Sequence, residues 1–258
     1  MYKFGDSLLE VLFDRSVCAD ARIASTRTVP VFGMENRRLV LVARNQNQEV
    51  WHRNEIECLP TIASLIRLNE IQMCIDDIGR EEYYQSPGSL GTARFGGDLF
   101  EGLPQIGVRS AINWHIFHHA NIRSTEKIKF SLIEFCEYLV KYPVEETAEK
   151  LLGLVPDRDI IGLREVARFR TICKKLSSKH YDDAFQVWGA ERNGIPYFLS
   201  TNRNFIRAVR NVPGIQLACA PVLPSELLKF IKKTPTISMP FEYGKTYLLN
   251  GTLDPWLN

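Results

Sequence analysis

The chain has 258 residues, 45% hydrophobic and 24% charged, with 32 basic residues against 30 acidic and a formal charge of +2. That balance belongs to a folded globular protein and excludes disordered, collagen-like and disulfide-framework classes. No run approaches the ~18 consecutive apolar residues of a membrane helix. The opening MYKFGDSLLEVLFDR lacks a basic stretch followed by an apolar one, so the expectation is a cytoplasmic protein with no membrane partner.

Cys18, Cys58, Cys74, Cys136, Cys173 and Cys219 include no Cys-x-x-Cys pair and read as buried, reduced thiols rather than a zinc ribbon or redox motif. In chain order, LLEVLFDRSVC (8–18) reads as a buried strand that stops at Asp14, and LVLVA (39–43) as a second strand. EIECLPTIASLIRL (55–68) carries a helical spacing with Pro60 near its start. IQMCI (71–75) is a short strand, and DDIGREEYY then opens on acids, as helix first turns prefer. The stretch 86–110 is dense in Gly and Pro and predicts neither a regular helix nor a central strand. Helical patterns resume over Ser110–Ala120, Glu126–Lys141, Glu145–Leu152 and Leu163–Ser178.

From Ile160 to His180, six basic residues (Arg164, Arg168, Arg170, Lys174, Lys175 and Lys179) face one acid, Glu165, and a second cluster follows at Arg203, Arg207 and Arg210. Such local excess is either a footprint for a polyanion or a solvated helix face. Asp182 or Asp183 opens a helix through Ala184–Asn193, with Gly194 as its stop. PYFLST (196–201) is a strand, followed by a polar turn at Asn202–Arg203 and a short helix. GIQLACAPV (214–222) is a strand and SELLKFI (225–231) a helix capped by Ser225, and the tail from Lys232 packs on the surface. Short apolar strands alternating with helices predict an α/β fold with a mainly parallel sheet flanked by helices.

In such sheets ligands gather outside the carboxyl ends of the strands. Asp14, the acids after IQMCI and Asn202 all stand at such ends, and Asp183 opens the helix that feeds the strand carrying Asn202. Carboxylates converging on one crevice repel unless a cation is present, and hard oxygen ligands suit Mg²⁺ or Mn²⁺.

The run DAFQVWGAERNGIPYFLSTNRNF (183–205) is similar to the C-terminal core of PIN-domain proteins. There an Asp is followed by a helix with Ala-Glu and Gly near its end, then by an apolar strand ending in Thr-Thr-Asp. VLPSELLKFI resembles the family's closing segment, Leu12-Phe-Asp14-Arg-Ser16-Val its opening strand, and residues 58–84 its second helix, strand and acid-bearing helix. The resemblance covers roughly 8–23, 58–84 and 180–231. It implies a three-layer PIN-like α/β domain over 1–233, interrupted by a largely helical insertion at about 86–150, with a C-terminal appendage at 234–258.

It also implies a Mg²⁺- or Mn²⁺-dependent nuclease, a hydrolase acting as an endoribonuclease on single-stranded RNA. Asp14 and Asp183 (with Asp182 as alternative) would be principal ligands and Glu82 (with Glu81 as alternative) a ligand or water-orienter. Ser16 would donate to the ligand set, and Arg203 and the basic segment 163–179 would guide RNA. The family's fourth acid falls on Asn202, whose amide oxygen remains a neutral donor. That loss of charge opens a second reading, a catalytically degenerate RNA-binding module or a protein scaffold whose partner contacts lie in 86–150. An α/β enzyme of unrelated chemistry is a third.

His115 and His119 share a helix face beside His118, but Ile116 stands where a zincin motif needs Glu. GTARFGG (91–97) lacks the Lys-Ser/Thr of a phosphate-binding loop. Tyr83, Tyr84 and Trp188 are candidates either for base stacking or for the core.

Overall fold

A computed structural model describes residues 8–30, 37–44, 49–78, 98–114 and 131–248. Its strands are β1 (Leu9–Phe13), β2 (Ala24–Pro30), β3 (Arg37–Ala43), β4 (Ile71–Asp76), β5 (Gln105–Val108), β6 (Tyr197–Leu199), β7 (Ala220–Val222) and β8 (Thr246–Tyr247). The helices α1 (Arg15–Asp20), α2 (Val50–Ile56) and α3 (Leu59–Arg67) precede β4. After β5 come α4 (Leu132–Lys141), α5 (Glu145–Lys150), α6 (Asp157–Arg164), α7 (Val166–Cys173) and α8 (Tyr181–Arg192), then α9 (Arg203–Arg210) and α10 (Pro224–Phe230).

Five strands form one sheet in the order β5-β4-β1-β6-β7, and every neighbouring pair is parallel. Successive side chains of a strand point to opposite faces, and the core divides accordingly. Leu12, Cys74 and Phe198 pack on one face with Phe135, Phe169, Phe185 and Trp188 from α4, α7 and α8. Val11, Phe13, Met73, Ile75 and Leu199 pack on the other with Val17, Leu59, Ile62 and Leu227 from α1, α3 and α10. The result is the three-layer α/β arrangement that the alternation of elements predicts, and continuous apolar runs are what strands buried on both faces require.

Three departures from the sequence reading bear on the architecture. The Gly- and Pro-rich stretch 86–110 contains β5, so part of the segment read as an insertion is the outer strand of the central sheet, pairing with β4 from Met73–Gln105 to Asp76–Val108. The tail expected as an appendage supplies β8, which pairs with β3 in a second, antiparallel sheet of order β2-β3-β8, and Phe241 and Tyr247 are buried in the core. Ser225 does not cap α10: Leu223 holds that position, and the Ser225 amide and hydroxyl each donate to the Glu55 carboxylate at 2.8 Å. A tertiary partner has taken the side chain that local rules assign to a cap.

At the outer side of β7, Arg210 donates from Nη2 to the carbonyl of Pro221 at 2.6 Å and pairs with Glu226. All six cysteines are buried and free. Among the described residues no helix is long and apolar enough to cross a membrane.

Candidate functional site at the carboxyl ends of the central strands

The sheet order reverses between β1 and β6: from β1 the chain moves outward to β4 and β5, then returns to β6 and β7 on the other side. Crossovers leaving in opposite directions part the loops there, which is where doubly wound sheets bind ligands. Asp14 follows β1 and donates its backbone N–H to Leu199 of β6 at 2.9 Å, placing the end of one central strand against the other.

Asp14 holds the N-cap position of α1 but makes no side-chain cap hydrogen bond, although Asp is among the strongest caps. Its buried carboxylate is held elsewhere. Ser16 Oγ donates to Oδ2 at 2.5 Å and Ser200 Oγ to the same oxygen at 2.7 Å. Ser16 also accepts from Thr201 N at 3.1 Å, and Ser200 from Asn202 N at 3.0 Å, so the turn after β6 is stitched to the start of α1. Among the described residues no donor is directed at Asp14 Oδ1.

Asp182 and Asp183, in the first turn of α8, diverge. Arg15 pairs with Asp182 Oδ2, while Asp183 Oδ2 accepts from Asn202 Nδ2 at 2.9 Å. Burial pushes the Asp183 carboxyl well above the usual carboxylate range; the charges of Asp14 and Asp182 push the same way, and Arg15 and the Asn202 hydrogen bond oppose them. His180 Nδ1 lies 3.7 Å from Asp183 Oδ2, and burial pushes that imidazole down, with Lys179 acting in the same direction, which favours its neutral form.

Asn202 has contacts unlike those expected of a ligand. Its Oδ1 accepts from Phe205 N at 3.2 Å, capping α9, and its nitrogen faces Asp183. Arg203 is exposed, with its guanidinium 5.3 Å from the centroid of the Trp51 ring.

Two further acids stand at this end of the sheet: Asp76, the first of the acids after IQMCI that the sequence reading marked, and Asp20, which it missed. Asp76, 2% exposed at the end of β4, comes level with Asp14 two residues beyond the Leu12–Cys74 pair, and both acids, with Asp98, add to the effect of burial in raising the pKa of the Cys18 thiol. Asp20, closing α1, accepts from Thr201 Oγ1 at 2.7 Å, His52 Nε2 at 2.7 Å and Arg44 at 3.3 Å. The His52 ring lies 5.2 Å from that of Trp51, so this cluster extends from the strand ends to the Trp51–Arg203 pair. Only the acid after IQMCI carried any signal, as a carboxylate ending an apolar run.

The basic segment 163–179 is partly spent within the fold. Arg164 pairs with Glu149, Arg168 with Glu191 through two hydrogen bonds, and Arg170 with Glu145, leaving Lys174, Lys175 and Lys179 exposed. Trp188 is core, stacked on Phe169 with ring centroids 5.5 Å apart. Glu82, Glu81, Tyr83, Tyr84, the GTARFGG loop, His115, His118 and His119 lie outside the described residues.

Among the described residues no group of three or more His, Cys, Asp or Glu side chains is arranged to hold a metal ion. Mg²⁺ requires less, since it keeps several waters and uses one or two carboxylates. Asp14 and Asp183 fit that need: both are buried hard-oxygen donors, and the raised pKa of Asp183, set first by burial and then by the charge of Asp14, is what a nearby cation would offset.

The fold and site together define a doubly wound parallel α/β domain with converging acids at its switch point. No protein-family model matches the chain, and neither a curated protein nor a solved structure matches it.

Proposed function

We propose that the protein is a divalent-metal-dependent nuclease that hydrolyses phosphodiester bonds in single-stranded RNA. The observation that carries this reading is the pair Asp14 and Asp183: two buried carboxylates at the switch point, each steadied on one oxygen by neutral donors. Asp14 and Asp183 would hold Mg²⁺ or Mn²⁺, which would supply polarisation of the scissile phosphate and a water of lowered pKa. Ser16 and Ser200 fix the orientation of Asp14, and Asn202 fixes that of Asp183. Burial and the charges of Asp14 and Asp182 favour the protonated form of Asp183, and a bound cation would favour its carboxylate. Arg203, backed by Trp51, offers charge and a stacking surface to a single strand.

One observation favours a second reading, a catalytically degenerate RNA-binding module. Asn202 gives the site an N–H donor where a fourth carboxylate would add negative charge. Cleavage of labelled single-stranded RNA with Mn²⁺ decides between the two, comparing wild type, EDTA-treated wild type and Asp14→Asn. Cleavage abolished by both EDTA and the substitution supports the nuclease; RNA bound but uncut by wild type supports the degenerate module; neither cleavage nor binding removes both.

A further inference from the structure

Gln186 sits in the middle of α8, 1% exposed, and among the described residues neither its Oε1 nor its Nε2 has a hydrogen-bond partner. A primary amide carries two donors and an acceptor, and a native interior rarely leaves all of them unmade without a reason such as a bound ion or a catalytic role. Its position supplies that reason. Gln186 lies three residues beyond Asp183 and four beyond Asp182, on the same helix face. Helical side chains lean toward the N-terminus of their helix, so a long one covers the turn before it, here the turn bearing the two acids. The helix is buried from Asp182 to Ala190, which removes bulk solvent as a partner. Asp182 Oδ1 is likewise buried without a hydrogen bond while its Oδ2 is held by Arg15.

We propose that Gln186 belongs to the cation site and lends its amide oxygen to the coordination shell of the divalent ion that Asp14 and Asp183 would hold, an inference that rests on the metal reading above. Hard cations accept amide carbonyl oxygens beside carboxylates. Asn202 turns its amide nitrogen, not its oxygen, toward Asp183, and its oxygen already accepts from the α9 backbone. Gln186 supplies a neutral oxygen that adds nothing to the repulsion between Asp14, Asp182 and Asp183.

The test is Mn²⁺ titration of the EDTA-stripped full chain, following free Mn²⁺ by electron paramagnetic resonance, together with the melting temperature of the metal-free protein. Gln186→Met keeps the length and apolar volume and removes the oxygen. It is expected to weaken Mn²⁺ binding about tenfold or more while leaving the metal-free melting temperature unchanged or higher, because no unpaired polar atom remains buried. Gln186→Glu adds a charge to the ligand set and is expected to tighten Mn²⁺ several-fold. Mn²⁺ binding that Asp14→Asn abolishes and Gln186→Met leaves unchanged overturns the assignment of Gln186 and spares the metal reading. A wild type that takes up no Mn²⁺ overturns both. Should Gln186→Met not fold, Gln186→Glu decides alone: tighter binding supports the assignment, and unaltered binding overturns it.

Discussion

The side chains of Asn202 and Asp183 meet head to head, amide nitrogen to carboxylate oxygen at 2.9 Å, while the amide oxygen of Asn202 caps α9 through Phe205 N. One neutral residue thereby closes a helix and steadies a buried acid. A carboxylate in its place would keep the cap but would set a like charge against an acid already burdened by Asp14 and Asp182.

Asn202→Asp is therefore expected to lower the metal-free melting temperature and to raise Mn²⁺ affinity tenfold or more. Thermal unfolding with and without Mn²⁺ reads both effects. A variant equally stable without metal and no better at binding it would separate residue 202 from the electrostatics of the site.

The metal-free protein carries a pH signature. The Asp183 carboxyl has a higher pKa folded than its ordinary value of about 3.9 unfolded. Between the two values the folded chain holds a proton that the unfolded chain lacks, so stability falls as pH rises through that window, with the full penalty above the folded pKa. Asp183→Asn removes the penalty. We expect it to stabilise the metal-free protein at pH 8 by on the order of 1–3 kcal/mol, and to match wild type as pH approaches 4. Equal melting temperatures at pH 8 would contradict this.

Arg203 and Trp51 make a separable prediction about RNA. Arg203→Ala is expected to weaken single-strand binding several-fold in EDTA and to reduce the slope of log affinity against log salt by about 0.7. Trp51→Ala should cost about 1–3 kcal/mol if a base stacks there. Fluorescence anisotropy with a labelled oligonucleotide measures both, and wild-type binding curves from both variants would remove this surface from the interface.

A packing prediction bears on the fold alone. A Cβ on Gly162 would lie 2.6 Å from the Ala111 carbonyl oxygen, 2.7 Å from Ile112 Cγ1 and 2.5 Å from Arg192 Nη1. The carbonyl is backbone and cannot swing aside. Gly162→Ala should destabilise the protein by about 1–3 kcal/mol in denaturant titration, with RNA affinity per folded molecule unchanged.

What the sequence disclosed follows from how deeply each element is buried. β1 and β4 are covered on both faces and read as continuous apolar runs, and Gly194, at φ +71°, was legible as the stop of α8. β5 is an outer strand whose residues are mostly exposed, so it left no apolar signature in a Gly- and Pro-rich stretch. Asp14 and Asp183 stood out because strand ends and helix starts are local features, whereas Ser16 was pointed to by the family resemblance alone. The Asp20–Thr201 bond spans 181 positions and the Asp20–His52 bond 32, and no periodicity encodes such pairings. Gln186 was hidden for a different reason, since a lone amide in a helix reads as surface until its burial is known.

At β7, hydrogen bonds to β6 use the N–H of Ala220 and the carbonyl of Val222, so the outward-facing backbone group between them is Pro221. Its nitrogen has no hydrogen to give, and its carbonyl is occupied by Arg210. A strand arriving from another chain would find neither donor nor acceptor in the middle of this border, so the sheet is terminated there by covalent chemistry and by a side chain. Replacing either residue would turn a closed margin into a template for further pairing.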